Sequence, residues 1–193
     1  TESQFECFFN FFFFKKLQLI GGGKSAEAMK IFLVDKENCN SAIAVLSSVG
    51  GKIAENILAE SLKEKDLPCA AAVMNALAGM KSKAAVNEYI TWTTTADVSI
   101  KASAYNALAQ SGDPLAYYVL LNAATSCSYR WESTGATSAL LNYAKNIAQN
   151  GDTKTMDKIC KLLISNCNDK LTMQNKSAAL EAYISFHGIK AFP

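Results

Sequence analysis

The sequence predicts an all-α protein, a right-handed α-solenoid of about five antiparallel helical hairpins. Three observations carry that expectation. From Ser25 onward apolar residues recur three and four apart, the spacing of one helix face, in segments of roughly 10 to 17 residues, and alternating strand patterns are nearly absent. The breaks between segments carry the chemistry that ends one helix and starts the next. Those breaks also fall on a common grid, the mark of stacked units.

Taken in order, the chain opens on a phenylalanine-rich stretch, "FECFFNFFFFKK" at 5–16, with seven phenylalanines in the ten positions from Phe5 to Phe14. It is not built like a signal peptide, because the positive charges follow the apolar run and no small-residue cleavage site is present. It is also shorter than the ~20 apolar residues of a spanning helix. It reads either as an interfacial anchor or greasy partner contact or, the favoured reading, as a low-complexity leader, a misread gene start or a poorly packed arm beside the first helix. "GGGK" at 21–24 reads as a flexible joint, so residues 1–24 are expected outside the core and 25–193 within the helical array.

The grid becomes visible when the breaks are aligned. "NALAGMKSKAAV" at 75–86 overlays "NALAQSGDPLAY" at 106–117 with a shift of 31 residues and no gap, and Gly50 lies 31 before Lys81. "NIAQNGD" at 146–152 restates "ALAQSGD" 39 residues later, the difference taken up by the insertion "SCSYRWESTG". "SAALEAYISFHG" then places Gly188 37 residues after Gly151. Turns are therefore expected near 50, 81, 112, 151 and 188. Leu77, Leu108, Ile147 and Leu180 are expected to be buried at corresponding places.

Physical chemistry explains the turns. Gly112 can take the left-handed conformation that ends a helix, Asp113 can cap the next one, and Pro114 suits its first turn. Asp152 can do the same after Gly151. Ala102, Ala104, Ala107 and Ala109 allow close helix approach, with Leu108, Val119 and Leu120 filling the space between. One hairpin cannot bury both of its apolar faces, so such units occur in rows.

"DVSIKASAYNALAQSGDPLAYYVL" at 97–120 resembles a bacterial HEAT-like repeat, through Asp97, Ile100-Lys101, Ala104, Ala107-Leu108, Gly112-Asp113-Pro114 and Ala116. The resemblance covers roughly residues 38–193; Lys81 stands where a turn glycine is usual, and lysine replaces the usual arginine. A narrower stretch, 133–152 with "ICKLLISNC" at 159–167 and "NKSAALEAYISFHGIKAFP" at 175–193, resembles helical regions preceding a jelly-roll domain of the 3-keto-disaccharide hydrolase type in large bacterial proteins. That resemblance implies a fragment of a larger bacterial protein, with the last hairpin cut short. It places any hydrolase activity in the other domain.

Charge and composition narrow the function. Lys and Arg number 19 against 17 acids, leaving no strong basic field of the kind that drives nucleic-acid or anionic-membrane binding, and Arg130 is the single arginine. The six cysteines show no C-x-x-C pair and lie mostly a helical unit apart, so they read as buried small hydrophobes rather than zinc ligands, and a disulfide framework is not expected in a chain this long and this helical. His187, the one histidine, sits at a helix end, where it serves as a cap and dipole partner. No residue set points to catalysis, a cofactor or a metal. The strongest local signal is Tyr129, Arg130 and Trp131 in the inserted connection, residue types enriched at binding hot spots. Alternatively, Trp131 folds back over the enlarged junction.

The leading expectation is a non-enzymatic scaffold that holds a protein partner or an attached domain. A carbohydrate-associated accessory module of a sugar hydrolase is the alternative from the narrower resemblance. HEAT-like DNA glycosylases and bilin lyases are further classes, the former opposed by the near-neutral charge and single arginine.

Overall fold

The computed structural model describes residues 12–188, and over these the chain is all-α with no strand. Residues 1–11 and 189–193, and with them most of the phenylalanine run and the helix expected to follow Gly188, lie outside the described residues. The chain divides into two compact units, Thr1–Glu88 and Tyr89–Pro193.

In the first unit α1 (12–20) and two short helices, α2 (Gly23–Ala28) and α3 (Lys30–Leu33), precede α4 (Cys39–Val49), α5 (Gly51–Ser61) and α6 (Ala70–Gly79). Residues 12–20, placed in the leader by the sequence reading, are helical, and Phe14 is buried with its ring edge-on to Phe32 at 5.2 Å. Across the glycine run Gly21 N–H donates to Leu17 O, Ala26 N–H donates to Gly22 O, and Gly23 begins α2. Phenylalanine at 14 gains more from burial than it loses in ordering, which composition alone does not reveal.

The first unit also corrects the reading of the cysteines. Cys39, the first residue of α4, is bonded to Cys69, the N-cap of α6, with Cα atoms 6.1 Å apart. α4 packs directly on α6, so positions 30 apart in sequence meet at the same end of neighbouring helices. A disulfide was not expected in a chain this long and this helical, and the one-unit spacing is what brings these two thiols together.

α7 (Val86–Trp92) spans the division between the units. The second unit continues with α8 (Val98–Ser111), α9 (Pro114–Ser126), α10 (Ala136–Gln149), α11 (Thr153–Asn166) and α12 (Met173–His187). α10 is its central helix, packed on α8, α9, α11 and α12, and it buries Leu140, Tyr143, Ala144 and Ile147. Burial pushes the Tyr143 hydroxyl up to about 12, with Asp152, Asp113 and Tyr117 adding to it.

All five expected turn positions have left-handed backbone: Gly50 (φ 63°), Lys81 (52°), Gly112 (59°), Gly151 (101°) and Gly188 (59°). At two of them the same closing bond forms, Ser82 N–H to Leu77 O and Asp152 N–H to Ile147 O, which satisfies a carbonyl that the helix end leaves open. Asp113 Oδ1 accepts from Leu115 N–H with Pro114 in the first turn of α9, and Asp152 Oδ1 accepts from Thr155 N–H. Ser82 takes the corresponding role after Lys81, its hydroxyl accepting from Ala84 N–H and donating to Glu55 at 2.6 Å. Replacing Asp113 with alanine is expected to cost about 1 kcal/mol, visible as a lower midpoint in urea with an unchanged slope.

Leu77, Leu108 and Ile147 are buried, but Leu180 is 38% exposed. α12 turns Ala179 and Ala182 inward instead, and among the described residues no later helix lies over Leu180. A buried polar contact that the sequence did not signal joins the neighbouring pairs. Asn146 on α10 donates to Ala109 O and Gln110 O at the end of α8, and a Cβ on Gly112 would meet its Nδ2 at 3.0 Å.

Candidate functional site

The inserted connection begins where α9 ends. Ser128 and Tyr129 both adopt left-handed backbone (φ 54° and 57°), unusual for residues with a side chain, and the turn is closed by Ser128 N–H to Thr125 O and Tyr129 N–H to Ala124 O. This reverses the chain so that Arg130 and Trp131 project from the loop, while Tyr129 is half-buried with its hydroxyl 3.2 Å from Thr125 Oγ1. Trp131 is 81% exposed, so it does not fold back over the junction.

The far side of the loop is fixed by Glu132. Its carboxylate accepts from Ala136 N–H at 2.7 Å and from the Thr134 hydroxyl and N–H, capping α10. Burial works to raise the Glu132 pKa, but these bonds outweigh it and hold the carboxyl below its ordinary range. The stabilisation is present at neutral pH and is lost as pH falls through that lowered value.

A second loop, between α11 and α12, supports the first. Asn175 donates to Tyr129 O at 2.7 Å, and Arg130 pairs with Asp169 at 3.4 Å, both side chains about half exposed. Asp169 is itself oriented by Thr172 and by Leu171 N–H. The Thr172 hydroxyl, the backbone bonds and Arg130 hold its carboxyl below the ordinary value despite some desolvation. The same loop exposes Leu171. Chemically this is an exposed indole next in sequence to a guanidinium paired with Asp169, residue types enriched at binding hot spots.

Tyr129, Arg130 and Trp131 therefore lie together, and Asp169, Thr172 and Asn175 are the supporting residues that sequence reasoning did not single out. A weak signal existed in "NDK" at 168–170, a turn-forming run, but nothing in it indicated which loop it would meet.

The other candidate groups are His187 and two buried cysteines, Cys160 and Cys167. His187 Nε2 lies 2.5 Å from Asp157 Oδ1, and its ring is tilted against that of Tyr183 with centroids 4.6 Å apart, so it ties the end of α12 to α11. Cys160 is buried and its thiol is pushed up to about 11, chiefly by burial and then by Asp157; burial also raises Cys167. Protonated thiols are poor nucleophiles at neutral pH. In the first unit a groove of about 330 Å³ is lined by Glu27, Lys30, Ile53, Asn56, Ile57 and Glu60, with Glu27 paired to Lys30 and Glu60 to Lys63. No helix of the described residues is long and apolar enough to cross a membrane.

Comparison with family models, characterised proteins and solved structures gives no match for this chain.

Proposed function

We propose that the chain is a non-enzymatic scaffold, a right-handed HEAT-like solenoid of about five helical hairpins that holds a protein partner or an attached domain. The observation that carries this reading is the joint placement of Arg130 and Trp131, exposed on a loop whose backbone is held by Asn175 and Glu132, with the Arg130 guanidinium paired to Asp169. A side chain as large as Trp131, held out in water by a rigid loop, gains by covering its surface with a partner. Support for the array comes from the left-handed backbone at 50, 81, 112, 151 and 188 and from the packing of α10 on α8 and of α12 on α10. These fit units stacked on a shared grid.

A photo-crosslinking amino acid at position 131 tests the reading in cells. The expected result is one discrete protein adduct, lost when Arg130→Ala is added. No adduct, together with turnover of a glycoside or excision of a base by the purified chain, would replace the scaffold with an enzyme.

A further inference from the structure

We propose that the outward face of α1 docks on the surface of a bilayer that carries anionic headgroups. α1 buries Phe14 against Phe32 on α3, and that anchor sets the opposite face outward. The face presents Phe13, Lys16, Leu19 and Ile20, with Leu19 83% and Ile20 82% exposed. α3 exposes Ile31, and Val34 is exposed immediately after it. Apolar side chains this exposed are clustered in 12–34 within the first unit, with Ile53 the remaining large one among its described residues. Clustered apolar exposure of this kind marks an interaction surface.

Charge selects the occupant. The segment 12–34 contains Lys15, Lys16, Lys24 and Lys30 against Glu27, and Glu27 pairs with Lys30 at 2.6 Å. Anionic headgroups neutralise Lys15 and Lys16, whereas a second copy of this chain would bring to the face only the same local excess of positive charge. Leucine and isoleucine would enter the acyl boundary while the lysine stems reach back to the headgroups. The proposed position is in the plane of the interface, and no helix of the described residues is long and apolar enough to cross a membrane. The whole chain carries a net charge of only +2, so the attraction is local to this segment.

Sedimentation of the full chain with phosphatidylcholine vesicles, with and without phosphatidylserine, tests the proposal. Binding is expected with phosphatidylserine present and should weaken as salt rises. Lys15→Gln with Lys16→Gln should reduce it roughly twentyfold, at about fivefold per lysine. Leu19→Asp with Ile20→Asp should remove it while the helical circular dichroism is unchanged, since both side chains are exposed. Equal binding to neutral vesicles, or undiminished binding by the Leu19→Asp, Ile20→Asp protein, overturns the proposal. So does an absence of vesicle binding combined with a wild-type dimer that the same variant dissociates, which would make a second copy the occupant.

Discussion

Replacing Cys39 with serine is expected to lower the stability of the first unit by about 3 kcal/mol, a midpoint shift of about 12–24 °C. The Cys39–Cys69 bond closes a loop that contains α4 and α5, and its loss returns that conformational freedom to the unfolded chain. Cys39 is also fully buried, so the serine hydroxyl must be desolvated. Cys69→Ser and wild-type protein in reductant should show similarly lowered transitions. Three transitions unchanged from that of the oxidised wild type would mean that the bond contributes nothing to stability. Thiol labelling under denaturing conditions gives an independent check, because the two sulfurs should react after reduction and not before it.

The second large effect is a contrast between two positions on the same grid. Leu108→Ala should cost about 3–4 kcal/mol, because Leu108 is fully buried in the second unit and its removal leaves a cavity that α8 and α10 cannot close. Leu180→Ala should cost about 1 kcal/mol or less, since that side chain already meets water. Equal losses at the two positions would show that Leu180 is covered in solution and that the outer face of α12 has been misplaced.

The contrast also shows what the sequence could reveal. Turn positions were legible because they depend on local chemistry: glycine at 50, 112, 151 and 188, followed at 112 and 151 by a capping aspartate. Lys81 was located by the grid although its residue type argues against a left-handed backbone. Burial of Leu180 was not legible, because it depends on whether another element covers it and not on the residue itself. The Cys39–Cys69 pair was missed for the same reason, since pairing requires knowing that α4 and α6 lie side by side.

The candidate site divides along the same line. Tyr129, Arg130 and Trp131 stood out because an insertion interrupts the grid and carries residue types that favour contact. Their supports did not, because Asp169 and Asn175 act across 39 and 46 residues of chain. Local patterns carry no information about such partners. Phe14 lay hidden in a run of like residues, where nothing in composition distinguishes the side chain that packs from Phe12 and Phe13, which remain exposed.

The scaffold reading rests on Trp131 being a binding residue, and one paired measurement on Trp131→Ala tests it: affinity for the crosslinked partner and thermal stability of the same preparation. The expected result is a loss of roughly thirtyfold in affinity, about 2 kcal/mol, with the unfolding midpoint within about 1 °C of wild type. A lowered midpoint with unchanged affinity per folded molecule would make Trp131 a packing residue and contradict the account.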